Sequence, residues 1–159
     1  MKITVIGVGR IKEKFFTDAI AEYSKRLGRY CRLDIVQLQD EKTPERAGKR
    51  EREIILEKEG ERILQSINEG SYVIALAIDG KQVDSPGLAA GIEKLMGSGV
   101  SHISFIIGGS LGLSEKVLKR ADLRLSFGKM TYPHQLMRVI LLEQIYRSFR
   151  IINHEPYHK

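Results

Sequence analysis

The chain has 159 residues, 42% of them hydrophobic and 29% charged, with a formal net charge of +6 at pH 7. This length and balance predict one domain with an ordinary core and exclude a disordered chain. No stretch approaches the roughly 20 apolar residues of a membrane span, and no signal-peptide core is present. The lone Cys31 excludes an internal disulfide. We therefore expect a cytoplasmic protein with a buried, unreactive thiol.

The positive charge is concentrated at the two ends of the chain. Residues 1–39 carry eight basic and four acidic side chains, and residues 114–159 carry nine and four, whereas the middle is neutral to acidic. RNA is a natural partner for such a chain, because Lys and Arg neutralise phosphates. A basic protein without such a partner explains the charge equally well.

The first half of the chain predicts alternating strands and helices. In chain order, we expect a strand at 2–8, a helix at 15–27 ended by Gly28, a strand at 33–38 and a charged helix at 40–62. The last of these carries Glu and Lys residues one turn apart, which is typical of a solvated helix with ion pairs. Its apolar stripe continues to Ile67, so it packs against the domain somewhere along its length.

The second half predicts the centre of a parallel sheet. The continuous apolar runs at 72–78 and 103–107 are typical of strands that helices cover on both faces. Another strand is expected at 123–127. Helices are expected near 86–96, after Ser114 as N-cap, and from Pro133 in a first turn to about Arg150. The fold class is thus α/β, a mainly parallel sheet with helices on both faces.

The last helix carries nine apolar side chains over about four turns. Such an arc is wider than packing against one sheet requires. We therefore expect part of this helix to contact a second copy of the chain.

Gly7-Val8-Gly9 follows the first strand and suggests a dinucleotide-binding loop. However, Lys12 stands where that fingerprint has its third glycine, and no acidic residue ends the second strand at the expected distance. A tight turn is the better interpretation.

Glycines cluster after two of the later strands. Gly108 to Gly112 follows one buried strand, Ser126 to Thr131 ends the next, and Leu76 and Ala77 lie near the corresponding end of a third. Glycine lets backbone approach a ligand closely, and ligands of open α/β sheets bind at the carboxyl ends of strands. Because no Walker-type loop is present, this pocket of backbone and apolar groups suits a nucleoside better than a phosphate-rich ligand.

The histidines do not indicate a metal. His154 and His158 lie in a short polar tail without Cys or clustered carboxylates, so no metal site is predicted. A frayed terminus is the simplest interpretation of this tail. Alternatively, Tyr157 and its basic neighbours stack on RNA and neutralise it.

Three segments together carry a specific resemblance. They are IIGGSLGLSE (106–115), LSFGKMTYPHQLMRVILLEQIYR (125–147) and HEPYHK (154–159). In order and spacing they closely resemble the SPOUT-class, or α/β-knot, methyltransferases of the type that methylates N3 of a pseudouridine in large-subunit ribosomal RNA. The likeness runs from end to end of the chain.

This resemblance implies one domain over 1–159 with a deep C-terminal trefoil knot, a rare exception to unthreaded connections. It implies a homodimer, no resident metal and S-adenosyl-L-methionine as cofactor. The substrate would be a pseudouridine in helix 69 of 23S ribosomal RNA within the assembled ribosome. The implied cofactor-binding residues are Leu76, Gly108, Phe127, Gly128, Lys129, Met130, Thr131 and Tyr132.

The acceptor nitrogen carries a proton that must leave before or during methyl transfer. The candidate catalytic residues are His134 beside the cofactor loop, Arg138 or Arg147 as stabilisers of a developing oxyanion, and Tyr157 and His158 of the tail. We expect residues 154–159 to position RNA and to be too polar to contribute to the core. The proton acceptor stays unassigned.

Two other functions are consistent with parts of the sequence. A non-catalytic RNA-binding or ribosome-associated protein would need only the basic ends, with structural glycine loops. A nucleotide-dependent oxidoreductase is disfavoured by the incomplete glycine fingerprint.

Overall fold

Five parallel strands form the central sheet. A computed structural model describes all residues, 1–159. The strands are β1 (Lys2–Val8), β2 (Arg32–Leu38), β3 (Tyr72–Gln82), β4 (His102–Ile107) and β5 (Leu123–Ser126). Their order is β2-β1-β4-β3-β5, and every neighbouring pair is parallel. The parallel sheet expected from the apolar runs is confirmed, while the trefoil knot stays a prediction.

Helices cover both faces of this sheet, as expected. They are α1 (Lys14–Leu27), α2 (Lys49–Ser66), α3 (Ser85–Gly97), α4 (Glu115–Arg120) and α5 (His134–Ile152). Helix α5 packs against α1 and α3 on one face, and α2 packs against α4 on the other. None of these helices is both long and apolar enough to cross a bilayer.

Side chains alternate between two cores because successive residues of a strand point to opposite faces. Ile3 and Val5 of β1 join the larger core, beneath α1, α3 and α5. Ile6 and Val8 join the smaller core, beneath α2 and α4. Cys31 lies in the larger core, so the expected burial of its thiol is confirmed, and this burial raises the pKa of the thiol to about 11.

Two elements differ from the sequence prediction by four residues or more. The charged helix expected at 40–62 begins only at Lys49, because Gly48 before it is extended and residues 40–48 form a loop. Strand β3 was expected to end at Ile78 but continues to Gln82. Its pairing with β5 shifts register between Leu76 and Lys81, and this irregularity carries the chain past Asp79-Gly80.

The wide apolar arc of α5 has an explanation within one chain. The helix lies between α1 and α3, and none of its residues is exposed. Leu141, Leu142, Ile145 and Phe149 are buried in the larger core. Two helices as well as the sheet thus cover much of this arc within one chain, and contact of the rest of it with a second copy stays a prediction. Pro133 precedes the helix instead of occupying its first turn.

Candidate active site

A cavity of about 330 Å³ opens at the carboxyl ends of three neighbouring strands, where the sequence predicted a pocket. This volume lies within the range of small-molecule sites. Its apolar lining comes from β3 and from the loops after β4 and β5, with glycine backbone between. The lining side chains include Ile78, Ile107, Leu111, Leu125 and Met137.

Most of the residues assigned to cofactor binding surround this one cavity. Seven line it, namely Leu76, Gly108, Phe127, Gly128, Met130, Thr131 and Tyr132. Lys129 does not line it and is exposed. The structure thus brings the predicted residues together, with Lys129 beside the cavity, and their role in binding stays a prediction.

The glycines of the two loops serve different purposes. Gly112 (φ +83°) and Gly128 (φ +110°) adopt conformations that favour glycine, and a Cβ on either would meet no protein atom within 4 Å. Because both line the cavity, open space lies beside their backbone. A Cβ on Gly108 would instead overlap the carbonyl group of Gly112. The absence of a side chain at Gly108 therefore lets its backbone lie close to Gly112 of the same loop.

Glu59 of α2 packs against Gly109 in the loop after β4, a contact that the sequence did not indicate. It is 4% exposed, and its carboxylate accepts a hydrogen bond from the Glu41 backbone N–H at 2.9 Å. A Cβ on Gly109 would lie 3.1 Å from Glu59 Oε1. Burial has the largest effect on the pKa of Glu59 and raises it. The hydrogen bond from the Glu41 backbone N–H is the next largest effect and lowers the pKa, but by less. Because this segment is dense in charge, its sequence pattern predicted solvated ion pairs for its charged residues and gave no sign of a buried carboxylate.

His134 begins α5 and lines the cavity. Its Nδ1 is buried without a hydrogen-bond partner. Burial, and then the positive charge of Arg138, lower the pKa of the imidazole. The ring also covers Gly9 (φ +95°), where a Cβ would lie 2.8 Å from His134 Cε1. A neutral imidazole therefore forms part of the cavity wall at pH 7, beside the tight turn predicted for Gly7 to Gly9.

Arg138 is not available to a substrate, so its assignment as a catalytic residue needs correction. It is 1% exposed, does not line the cavity, and donates from Nη2 to the carbonyl oxygens of Val8 (2.9 Å) and Gly9 (2.6 Å). A Cβ on Gly7 would lie 2.5 Å from its Nε. The guanidinium thus holds the end of β1, and Gly7 leaves room for it.

The C-terminal tail is docked onto α5, which contradicts the frayed end, although none of its residues belongs to either core, as expected from its polarity. The Tyr157 ring packs edge-on against Tyr146 at 4.9 Å, and its hydroxyl donates to Glu143 Oε1 at 3.1 Å. Burial and the Glu143 carboxylate raise the pKa of Tyr157 to about 12, so the phenol is protonated at pH 7. The Arg147 guanidinium lies over the same ring at 4.7 Å.

Further contacts fix the rest of the tail. Arg150 pairs with Glu155 and donates to the Pro156 carbonyl oxygen at 2.9 Å. The Tyr30 hydroxyl donates to Glu155 Oε2 at 2.8 Å. Arg147 donates to His158 Nδ1 at 3.2 Å, so the neutral form of His158 carries its proton on Nε2.

One chain does not bring its tail to its own cavity. Tyr157 contacts Glu143, which lies nine residues along α5 from His134. At 1.5 Å per residue this separation is about 14 Å. Tyr157 and His158 therefore stand apart from the residues around the cavity. No group of three or more His, Cys, Asp or Glu side chains is arranged to hold a metal ion.

Comparison with known proteins identifies the family. The family model described as "Predicted SPOUT methyltransferase" matches residues 1–158. The chain belongs to the SPOUT methyltransferase family. This match covers the glycine loops, the whole of α5 and all but the last residue of the tail, as the resemblance of the three segments predicted.

Relatives of the same length are highly similar. A protein of Bifidobacterium adolescentis named ribosomal RNA large subunit methyltransferase H is 64% identical over 159 residues, which is 100% of both chains. A protein of the same name from Clostridium beijerinckii is 60% identical over 159 residues, again 100% of both chains.

Two solved structures share the fold at low identity. A methyltransferase of Legionella pneumophila, solved with bound S-adenosylmethionine, has a TM-score of 0.52 and 13% identity, with 94% of this chain and 66% of that chain covered. A methylase-family protein of Haemophilus influenzae has a TM-score of 0.52 and 12% identity, with 99% and 70% covered. These likenesses establish the α/β architecture.

We expect Arg138→Met to destabilise the protein by about 2–6 kcal/mol. The variant leaves two buried carbonyl groups without their donor, and each unsatisfied group costs about 1–3 kcal/mol. Urea unfolding measures the change, with Arg50→Met as the control because Arg50 is 78% exposed. Equal stability of Arg138→Met and the wild type would show that these hydrogen bonds contribute nothing.

Removal of residues 154–159 should lower stability. The edge-on packing of Tyr157 against Tyr146 alone is worth about 0.5–1.5 kcal/mol, and the hydrogen bonds of the tail add to it. The denaturation midpoint should fall for the truncated chain and stay unchanged when only the exposed Lys159 is removed. An unchanged midpoint in both would mean that the tail is loose in solution.

Proposed function

We propose that this protein is an S-adenosyl-L-methionine-dependent enzyme that methylates N3 of a pseudouridine in helix 69 of 23S ribosomal RNA. It acts on the assembled ribosome, in the cytoplasm and as a homodimer. The family, the full-length relatives named large-subunit ribosomal RNA methyltransferases and the cofactor of the Legionella structure support this proposal.

The cavity at the strand ends is the observation on which the proposal rests. Its lining is mainly apolar side chain and glycine backbone, which suits the adenosine of a cofactor held by backbone and van der Waals contacts. The open space beside Gly112 and Gly128 would be filled by side chains at either position. The loops after β4 and β5 would hold S-adenosylmethionine, with Lys129 near the rim.

When bound, S-adenosylmethionine supplies a methyl group activated by its sulfonium. The protein then has to place the acceptor nitrogen in line with that methyl group and exclude water. Of the two candidate imidazoles, His134 is neutral at the cavity wall and is able to accept a proton. His158 accepts at Nδ1 from Arg147, which leaves its Nε2 as the nitrogen suited to donate to a uracil oxygen.

We infer that each site takes its tail from the other subunit. The tail of one chain lies about 14 Å along α5 from its own His134. Two exposed apolar side chains line the cavity, Ile78 (54%) and Met130 (72%), and Val83 (38%) lines a neighbouring cavity that shares Phe127 and Gly128 with it. A second subunit covering these side chains would bring its Tyr157 and His158 to the bound acceptor base.

Methyl transfer to ribosomes tests the activity. The protein and labelled S-adenosylmethionine are incubated with ribosomes from cells lacking the gene, and mass spectrometry of RNA fragments locates the methyl group. One new methyl on a pseudouridine of helix 69 is the expected result. A ribosome-associated protein without catalytic function would bind these particles but give neither methylation nor heat of cofactor binding.

Ala77→Leu should weaken cofactor binding at least about tenfold. Ala77 lines the cavity and is partly buried, so a larger side chain there occupies ligand volume. Calorimetry with S-adenosylmethionine measures the loss, and Ala90→Leu is the matched control on an exposed position of α3. Wild-type affinity in Ala77→Leu would place the cofactor elsewhere.

A mixture of two inactive variants should regain activity if sites are shared. Subunits carrying Ala77→Leu and subunits carrying Tyr157→Ala each lack one half of the site. Random exchange gives half mixed dimers, each with one intact site, hence about a quarter of wild-type activity. The control carries both changes on every chain and should stay inactive. No activity from co-expressed variants would contradict the shared site.

A further inference from the structure

A second cavity, of about 500 Å³, lies beside the cofactor cavity where β1 and β2 end. No hydrophobic side chain lines it. Its walls come from the segment after β1, which includes Arg10 and Lys12, and from Asp40 after β2. His134 lines both cavities, so its imidazole is part of the wall between them.

The two cations of this polar cavity have no partner within the protein. Arg10 and Lys12 are exposed, and neither takes part in an ion pair. Glu13 and Asp40 also line the cavity and likewise make no ion pair. The cavity thus offers cations for phosphate and acceptors for base amino groups or 2′-hydroxyls, a mixture that suits a nucleotide better than a bare anion.

An exposed aromatic ring stands next to these groups in the chain. Phe15, in the first turn of α1, is 66% exposed. The centroid of its ring lies 4.4 Å from that of the half-buried Phe16, with an angle of 51° between the two ring planes. This contact supports the exposed ring. An exposed aromatic beside unpaired cations is the combination with which proteins bind single-stranded nucleic acid.

The backbone of this segment is held in place before any ligand binds. The Gly9 N–H donates to the Leu38 carbonyl oxygen at 2.7 Å, and the Ile11 N–H donates to Gln37 Oε1 at 2.8 Å. Arg138 holds the carbonyl groups of Val8 and Gly9 from the other side. Little ordering entropy of the backbone is therefore lost when Arg10 and Lys12 bind a ligand.

We propose that Arg10, Lys12, Phe15 and the polar cavity form a second contact surface for the RNA substrate, which we term the flanking-nucleotide site. It would hold a single-stranded nucleotide next to the acceptor, its phosphate against Arg10 and Lys12 and its base on Phe15. The surface adjoins the cofactor cavity across His134, so one RNA loop spans both. This inference rests on the proposed function only in taking RNA as substrate.

Binding to ribosomes from cells lacking the gene, measured over a range of KCl concentrations, tests the cationic part. Arg10→Ala with Lys12→Ala should reduce the slope of log affinity against log salt by about 1.4, since each single-strand phosphate contact contributes about 0.7. The control replaces Lys25 and Lys94 with Ala. Both are exposed and make no ion pair. They lie in the last turns of α1 and α3, near the amino ends of the strands, whereas the polar cavity lies at the carboxyl ends.

The aromatic part has its own variants. Phe15→Ala should weaken binding to the same ribosomes about tenfold, whereas Phe15→Trp should retain it because stacking tolerates any aromatic ring. Affinity for S-adenosylmethionine should stay at the wild-type value in all these variants, because none of the changed residues lines the cofactor cavity.

Three results would overturn the flanking-nucleotide site while leaving the proposed function intact. In the first, the variant with Arg10 and Lys12 replaced binds ribosomes as the wild type does. In the second, the control with Lys25 and Lys94 replaced shows an equal change in slope. In the third, sedimentation shows that the wild type is a dimer and that the Phe15→Ala variant is a monomer. The last would identify the surface as an interface between two copies of the chain. Failure of the wild-type protein to bind or methylate ribosomes would instead contradict the proposed function.

Discussion

The buried guanidinium of Arg138 fixes the geometry on which both cavities depend. A buried charge costs several kcal/mol unless its donors are satisfied, and here Nη2 binds the carbonyl oxygens of Val8 and Gly9. One turn earlier on α5, His134 lies over Gly9. The two side chains thus fasten the start of α5 to the end of β1. The glycines that suggest a dinucleotide loop are explained by this contact, since a Cβ on either would meet Arg138 or His134.

This fastening also sets the electrostatics of the cavity wall. The charge of Arg138 adds to burial in lowering the pKa of His134, so the imidazole is neutral over the physiological pH range. Because Arg138 is 1% exposed and its Nη2 is bound to backbone, it offers no donor to a substrate. The helix therefore contributes one positioning residue that faces inward and one neutral imidazole that faces both cavities.

The sequence predicted the features that depend on local pattern. Strands β3 and β4 were found because helices on both faces make them continuously apolar, and the loops after β4 and β5 were found through their glycines and the family resemblance. The pattern did not reveal contacts between distant segments. Three such contacts are the hydrogen bonds of Arg138 to β1, the burial of Glu59 under Gly109 and the packing of Tyr157 on Tyr146. Arg, Glu and Tyr are equally common on a solvated surface, so their residue types alone did not indicate these contacts. The register shift in β3 likewise arises from pairing with β5.

The docked tail changes what a second subunit would have to contribute. A loose tail loses conformational entropy each time it orders around a substrate, which weakens binding and misplaces reacting groups. Here Glu143 and Arg147 hold Tyr157 and His158, and Arg150 with Tyr30 holds Glu155. Their geometry is fixed by the same helix that carries His134. Assembly of two such chains would therefore join a preformed cofactor cavity of one chain to a preformed tail of the other. The conformational entropy of the tail would be lost during folding, before the RNA binds.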